Sequence, residues 1–311
     1  MKVQVASLRQ PTFYSELSGE RFALQSIEQY AEQEIKRRLD LIYFNIQEAA
    51  ANKPADTVLF FTLPEFFWNI KWGVLKSHTE LHQFTDYMMT HLSDRLDGLM
   101  KSLPAEKTGK VVLLGGSLAV LVKKASSEYH EAINYALMTN NFKKTAEGDR
   151  FEMSMWPKRN TSHIDFGAKK EVYPEGYGFQ LSDAVFVKVV KANETVAEHN
   201  TAGGFGAGMD NTLVEGCPFS INLCLDYGAV KFGERDNEAM EKKPKVDFLM
   251  ACGMPTSPDH KYPASTQYAV RNDGMQRGET EFFAVSGGRI SRVLKAATLN
   301  EQLTMVTLDI A

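Results

Sequence analysis

The chain has 311 residues, 43% of them hydrophobic, which is enough to bury a large core. Its formal net charge of -4 argues against nucleic acid or an anionic membrane surface as a partner. Neither a secretory signal nor an apolar stretch of roughly 18 residues is evident, so we expect a cytoplasmic protein. The three cysteines, Cys217, Cys224 and Cys252, lack disulfide or zinc spacing, which predicts reduced thiols.

Short apolar runs along the chain have the length and composition of buried β-strands. Many are rich in β-branched or aromatic residues, and several are apolar at successive positions, which is typical of sheets covered on both faces. These predicted strands lie at 3–8, 58–63, 111–122, 133–139, 184–190, 219–225, 246–251, 282–288 and 303–310.

Other segments have the apolar spacing of amphipathic helices. The first spans about 22–51 and the second about 80–102, and two more are predicted at about 229–242 and 264–277. The alternation of strands and helices, without a linker or charge block, predicts one α/β domain over residues 1–311. The Gly-rich stretch 198–211 fits neither a dinucleotide fingerprint nor a P-loop, and we interpret it as a loop beside a pocket.

A lone carboxylate, Glu65, lies among apolar residues in the segment FTLPEFFWNI. It follows the predicted strand at 58–63, and α/β proteins commonly place catalytic groups where strands end. Poor solvation beside Phe66, Phe67 and Trp68 should raise the pKa of this carboxyl group, which suits a general base near neutral pH. The alternative is a carboxylate that caps the following turn.

Lys158 ends the alternating segment FEMSMWPK. Beside a desolvated carboxylate, its ammonium group would offer a fixed positive charge to a developing oxyanion. The alternative is a solvated lysine at the end of a strand.

Cys224 closes the apolar run at 219–225 and is followed by Asp226. A sharp turn after this strand would expose the thiol and direct backbone N–H groups at a reacting carbonyl. Cys252 ends another predicted strand in a similar way, and either cysteine could instead be a small buried apolar side chain. Spacing alone leaves these alternatives open.

In chain order, the segments LPEFFW, WPKRN and INLCLDYG resemble the motifs of the nitrilase, or carbon–nitrogen hydrolase, superfamily. The resemblance covers about residues 2–310 and assigns the catalytic triad of that family to Glu65, Lys158 and Cys224. It implies a four-layer αββα sandwich that assembles into homodimers or larger homo-oligomers. It also implies a packed helix followed by a strand in the stretch 267–288.

The resemblance implies a mechanism in which Glu65 takes a proton from Cys224, and the thiolate attacks a small-molecule amide, carbamoyl compound or nitrile. Lys158 and the backbone N–H after Cys224 would stabilise the oxyanion, ammonia or an amine would leave, and water would hydrolyse the thioester. This chemistry needs no metal or organic cofactor. We expect substrate contacts from the following residues: Phe66, Trp68, His163, Glu175 and Leu225.

The sequence departs from the family pattern at two places. Many members follow the cysteine with an aromatic residue, an aspartate and Arg-Phe-Pro, whereas this chain has Leu225 and Asp226 before Tyr-Gly-Ala-Val. Many members also have a second active-site glutamate after the lysine, and the candidates in this chain are Glu171 and Glu175.

Other functions remain open on the sequence. An amine could intercept the thioester, which would make the protein an acyltransferase or amide-forming enzyme, or the scaffold could bind a ligand without catalysis. His78 and His82 are four residues apart at a predicted helix start and could face one metal ion, although no third ligand is evident. Ser117 lacks the nucleophile-elbow pattern of a serine hydrolase.

Overall fold

The computed structural model describes residues 1–13, 16–158, 165–166, 169–190, 211–229 and 243–311. This part of the chain contains two β-sheets and two long helices, so the predicted α/β class is confirmed. Each of the predicted strands overlaps a strand of the structure. The predicted helix at 229–242 and the Gly-rich stretch 198–211 lie almost entirely outside the described residues.

The strands of the described residues are numbered here in chain order. They are β1 (Lys2–Leu8), β2 (Val58–Thr62), β3 (Val111–Lys123), β4 (Tyr129–Lys144), β5 (Phe151–Pro157), β6 (Lys169–Val172), β7 (Gly176–Ser182), β8 (Val185–Val190), β9 (Phe219–Leu223), β10 (Val246–Ala251), β11 (Tyr268–Asp273), β12 (Glu279–Ser286), β13 (Arg289–Val293), β14 (Ala297–Asn300) and β15 (Leu303–Asp309).

The strands form a larger and a smaller sheet. The larger sheet has ten strands in the order β14-β15-β1-β2-β3-β4-β8-β7-β6, with β5 paired to β4, and the smaller sheet has the order β13-β12-β11-β10-β9. Strands β1, β2 and β3 are parallel, and β5 runs in their direction because β3, β4 and β5 are successively antiparallel. Strands β9, β10 and β11 are also parallel. The carboxyl ends of β2 and β5 therefore share one edge of the larger sheet, as those of β9 to β11 do in the smaller sheet.

The two sheets pack face to face through an apolar core. The ring of Phe60 on β2 lies 5.4 Å, between centroids, from each of the rings of Phe219 on β9 and Phe248 on β10. At the end of β11, the amide of Asn272 donates to the backbone carbonyls of Leu8 and Thr62, at 3.1 and 3.0 Å. This buried amide joins the two sheets at the edge where β2 ends.

Two long helices, α1 (Ile27–Ala51) and α2 (His78–Lys101), cover the other face of the larger sheet. The short helix α3 (Ala105–Thr108) follows α2, and another short helix, α4 (Leu225–Ala229), follows β9. Side chains alternate along β2, so Phe61 packs with the helices whereas Phe60 packs with the smaller sheet. No helix in the described parts of the chain is long and apolar enough to cross a bilayer.

Helix α1 begins five residues later than the predicted start at 22. Ser26 caps the helix, because its hydroxyl accepts from the backbone N–H of Gln29 while the Gln29 side chain accepts from the backbone N–H of Ser26. Phe22 and Leu24 lie before this cap and are 69% and 100% exposed. These two residues therefore extend the apolar pattern of the sequence, but they lie outside the helix.

The predicted helix at 264–277 is wrong, and so is the packed helix expected at the start of 267–288. Residues Tyr268–Asp273 form β11, which pairs with β10 on one side and β12 on the other. Val270 faces the core between the sheets, and Ala269 packs on the opposite face. Strand β11 is buried on both faces although its second half is Arg-Asn-Asp, so its sequence has no clear strand period and the pairing with its neighbours decided its structure.

Candidate active site

The structure brings Glu65, Lys158 and Cys224 together at the facing edges of the two sheets. Lys158 directly follows β5, Cys224 directly follows β9, and Glu65 lies three residues after β2. The Lys158 Nζ atom is 3.0 Å from Glu65 Oε1, and the thiol of Cys224 is close enough to influence both charges. The three residues are only 0%, 2% and 5% exposed, respectively for Glu65, Lys158 and Cys224. Their interactions are therefore little screened by water.

Cys224 lies on a strained turn between β9 and α4. Its φ of 44° is in the left-handed region, which costs a non-glycine residue about 1–3 kcal/mol and often occurs at functional sites. The backbone N–H of Cys224 donates to the carbonyl of Met250 at 2.9 Å, which ties the turn to β10. The Sγ atom lies 3.7 Å from the carbonyl oxygen of Cys252. The sharp transition after the strand agrees with the prediction, but the thiol that this turn was expected to expose is buried, because Cys224 lies between the edges of the two sheets.

Glu65 has one occupied and one available carboxylate oxygen. Its Oε1 accepts from Lys158 and from the side-chain amide of Asn134, each at 3.0 Å, whereas Oε2 has no partner in good hydrogen-bonding geometry among the described residues. Burial raises the pKa of Glu65 to about 7, with a further rise from the charge of Asp165 and an opposing effect of Lys158. A carboxylate with this pKa and a free oxygen can accept a proton near neutral pH.

Asp165 is a fourth member of the cluster that the sequence reading missed. Its Oδ1 lies 2.7 Å from Lys158 Nζ, and the residue is 5% exposed. Burial lowers the pKa of Lys158, but the charges of Asp165 and Glu65 outweigh burial and raise it well above its usual value. By contrast, Glu171 on β6 and Glu175 in the following turn are exposed. The sequence feature that could have identified Asp165 is an acidic residue seven positions after Lys158, although it is an aspartate and not the expected glutamate.

The surroundings of Cys224 favour the neutral thiol over the thiolate. Burial raises its pKa well above the usual value, and the negative charge of Glu65 adds to this rise, while Lys158 opposes it. A free thiolate is therefore costly until a substrate removes its charge.

The backbone around Glu65 is fixed by buried hydroxyl groups. Thr12 donates its hydroxyl to the carbonyl of Glu65 at 2.6 Å, and the Phe66 N–H donates to the hydroxyl of Ser117 at 3.0 Å. The carbonyl of Ser117 also accepts from the N–H of Trp68 at 3.2 Å. Phe66 has a φ of 61°, so these bonds stabilise a left-handed residue next to the carboxylate. In this structure, Ser117 supports the turn that carries Glu65.

The expected substrate contacts lie in different surroundings. The ring of Phe66 is 5.6 Å from Lys158 Nζ, whereas Trp68 is buried and donates its indole N–H to the carbonyl of Gly115 at 2.6 Å. Leu225 is half-buried at the start of α4, directly after Cys224. His163 lies outside the described residues, and Glu175 is exposed in a turn. Roles in substrate binding stay predictions for all five.

The other cysteines have different environments from Cys224. All three cysteines are free and buried. The thiol of Cys252 packs in the core beneath α1 and α2, where burial and the charge of Glu65 raise its pKa. Cys217 lies before β9, where burial raises its pKa to about 12. Cys224 is the one of these three cysteines with a left-handed backbone.

Comparison with known proteins found no matching family model and no matching curated protein. What the site can do therefore follows from its own groups. These are a carboxylate with a pKa of about 7, an ammonium group between two acids, and a thiol on a strained turn. Such a set suits nucleophilic attack on a carbonyl or nitrile carbon with stabilisation of the resulting anion.

Proposed function

We propose that this protein hydrolyses a non-peptide carbon–nitrogen bond, in an amide, carbamoyl compound or nitrile, through a thioester on Cys224. The observation that carries this proposal is the buried contact between Lys158 and Glu65 beside the strained Cys224 turn. The resemblance of the three motifs to the nitrilase superfamily supports it. The helix layer and the two facing sheets are compatible with three layers of the αββα sandwich that we propose for the fold.

The first step is the attack of Cys224 on the substrate carbon. As the sulfur–carbon bond forms, the thiol proton moves to Glu65 Oε2, which has no partner in good hydrogen-bonding geometry among the described residues. Lys158 and Asn134 both donate to the other oxygen, Oε1, and so orient the carboxylate. Because the thiol and the base lose and gain the proton together, no isolated thiolate has to form in the buried site.

The second requirement is stabilisation of the negative charge that develops on the substrate oxygen, or on the nitrogen of a nitrile. A lysine ammonium has three N–H donors, and two of those of Lys158 point to Glu65 and Asp165. We assign the third donor to the oxyanion, together with the backbone N–H of Leu225 that follows the nucleophile. In a buried site such donors contribute far more than they would in water.

The remaining steps return the proton and release the products. For an amide or carbamoyl substrate, Glu65, now protonated, gives its proton to the leaving nitrogen, and ammonia or an amine departs from the tetrahedral intermediate to leave the thioester. For a nitrile, this proton goes to the nitrile nitrogen to give a thioimidate, and one water adds to its carbon before ammonia departs. Glu65 then takes a proton from water, the hydroxide attacks the thioester carbon, and the Glu65 proton returns to the Cys224 sulfur. A pKa of about 7 allows the same carboxyl group to accept and donate in turn.

Ammonia release from a panel of primary amides, N-carbamoyl acids and nitriles tests this proposal. We expect release from one class by the wild-type protein and none by Cys224→Ala. The matched control is Cys217→Ala, because Cys217 is also buried but precedes β9, away from Lys158. Wild-type turnover by Cys224→Ala would contradict the proposal, and a rate lost equally in both variants would point to damaged folding.

A further inference from the structure

A second cluster of titratable side chains lies away from the candidate active site. It surrounds a pocket of about 430 Å³ between the start of α2 and strands β3, β4 and β8. We call it the histidine pocket, and its polar lining consists of His78, His82, Lys123, Glu128, His130 and Lys188. None of the proposed catalytic residues lines this pocket. Its chemistry is therefore separate from that of Cys224.

The histidine pocket contains buried ring nitrogens that lack partners. His130 on β4 is 3% exposed, and neither of its ring nitrogens has a hydrogen-bond partner among the described residues. The Nε2 atom of His82 on α2 is also buried and has no hydrogen-bond partner in the described part of the chain, and the two ring centroids are 5.9 Å apart. Buried polar groups are normally satisfied, so this arrangement indicates a site for a ligand.

The surroundings of these rings are electropositive. Burial lowers the pKa of His130 to about 4, with further lowering by the charge of Lys123 and by His82 and His78. The Lys188 backbone opposes this effect, but its contact is not a well-formed hydrogen bond. The amino terminus of α2, a helix of 24 residues, adds its partial positive charge at His78. A bound negative charge would be attracted by Lys123, Lys188 and the helix terminus.

One carboxylate already lies at the rim of the pocket. The Lys188 ammonium contacts Glu128 at 2.7 Å, and the Glu128 side chain is 64% exposed. Lys188 also lies 4.6 Å from the centroid of the Tyr173 ring. Glu128 therefore neutralises part of the positive charge at the entrance, where it would repel an incoming anion.

A metal ion is less suited to this pocket than an anion. His130 is close to His82, which the sequence paired with His78 as possible metal ligands. Nevertheless, no group of three metal-binding side chains with suitable geometry is found in the described residues. Lys123 and Lys188 would also repel a cation in the same space.

We propose that the histidine pocket binds a phosphate-sized oxyanion, with His82, His130 and Lys123 as its principal donors. The anion would accept from the buried imidazole nitrogens and would lie near the first turn of α2. This inference concerns binding outside the proposed catalytic cluster, so its test is independent of the proposed hydrolase function.

Calorimetric titration of the wild-type protein with sulfate tests the site. Sulfate keeps its charge between pH 5.5 and 8.0, so a change in affinity reports on the protein. Because a bound anion favours protonated histidine, we expect binding at pH 5.5 that becomes about tenfold weaker at pH 8.0. The facing groups that contribute are His78 and His82 on α2, Lys123 on β3, and Glu128 and Lys188 at the rim. Failure of wild-type protein to bind sulfate at pH 5.5 would overturn the proposal.

Variants at the pocket distinguish this site from adventitious binding. We expect His82→Gln and Lys123→Gln to weaken sulfate binding about tenfold each, as loss of a charge-assisted donor predicts. His91→Gln, on the same helix but beside Tyr87, should bind sulfate like the wild type. Equal affinity in all three variants would place the anion elsewhere and overturn the proposal.

Glu128→Gln gives a test in the opposite direction. Removal of the rim carboxylate should tighten sulfate binding about threefold, because one repulsive charge is lost. For a metal site the same change would weaken binding. A parallel titration with Zn²⁺ that showed binding lost in His82→Gln and weakened in Glu128→Gln would therefore replace the anion proposal.

Discussion

Glu34 on α1 and Glu65 after β2 are both almost fully buried beside a cation, but their surroundings affect them in opposite ways. Glu34 Oε2 lies 2.6 Å from a guanidinium nitrogen of Arg37 and 2.6 Å from one of Arg38. Burial raises the pKa of Glu34, yet hydrogen bonding and charge from the two arginines outweigh it and keep the pKa below its usual value. Glu34 is therefore a charged carboxylate with two compensating cations.

Glu65 has the opposite balance of charge. Among the described residues, both Glu65 and Asp165 lie against the ammonium group of Lys158. Burial is again the largest influence, and here it prevails and raises the pKa to about 7. In the described part of the chain, Glu34 lies against two arginines and Glu65 against one lysine, so neighbouring charge, and not burial alone, distinguishes the pKa values of the two carboxyl groups.

The two regions are also physically connected. Arg38 donates from Nε to the carbonyl of Phe67 and from Nη2 to the carbonyl of Asn69, each at 2.7 Å. It thus stabilises the turn that follows Glu65 while it neutralises Glu34. The cluster around Glu34 therefore also stabilises the backbone that follows Glu65.

The largest expected effect separates the two glutamates by catalysis. Glu65→Gln keeps the shape of the side chain but removes the proposed base, so we expect turnover to fall by about 10²- to 10⁴-fold in a steady-state assay. Circular dichroism should show a folded protein. Activity within tenfold of the wild type would mean that another group accepts the Cys224 proton.

The second largest expected effect distinguishes Glu34 from Glu65 by its contribution to the stability of the fold. Glu34→Gln leaves the buried Arg38 short of a negative charge, so we expect the free energy of unfolding to decrease by about 3–5 kcal/mol in urea titrations. Turnover per folded molecule should change little. If this variant were as stable as the wild type, the contrast between a structural and a catalytic glutamate would be lost.

A third effect concerns the pH dependence of stability. The folded-state pKa of Glu65, about 7, lies above its usual value of 4.5, so the folded protein binds this proton more tightly than the unfolded chain. The contribution of Glu65 to the free energy of unfolding is therefore fully present below about pH 4.5 and is lost as the pH rises through about 7. The loss is on the order of 3 kcal/mol.

The comparison of wild type with Glu65→Gln isolates this contribution, because glutamine does not titrate. The variant should lack this loss of stability between pH 4.5 and 7 in chemical denaturation experiments. Parallel curves for the two proteins over this range would show that Glu65 titrates as an ordinary carboxyl group.

The smallest expected effect on the maximum rate comes from Asp165→Asn. Without the Asp165 charge, Lys158 compensates Glu65 alone, and the pKa of Glu65 should fall below about 7. The acid limb of the plot of kcat against pH should then move to lower pH. A limb that does not move, with only a uniformly reduced rate, would limit Asp165 to positioning Lys158.

The sequence predicted the parts of the site that follow clear apolar runs. Glu65 and Cys224 could be identified because each comes after a strand whose β-branched and aromatic residues are unmistakable. Lys158 was suggested by alternation in FEMSMWPK and by the order of the three motifs. The structure brings all three together as expected.

Features that depend on partners distant in sequence were not predictable in the same way. Asp165 lies after a segment without periodicity, and its role depends on the direct contact with Lys158. The strand β11 was mistaken for a helix because its pairing with β10 and β12 has no local signal. The proposed role of His130 likewise depends on its proximity to His82 on α2, and the sequence does not show that this helix lies beside β4.

The most direct test of the central claim is intact-mass analysis of the wild-type protein quenched during turnover of a substrate from the ammonia-release panel, followed by peptide mapping. A thioester on Cys224 predicts added mass equal to the acyl group on the peptide that contains this residue, and no such mass in Cys224→Ala. An adduct on Cys252 or Ser117, or turnover by Cys224→Ala at the wild-type rate, would contradict the account.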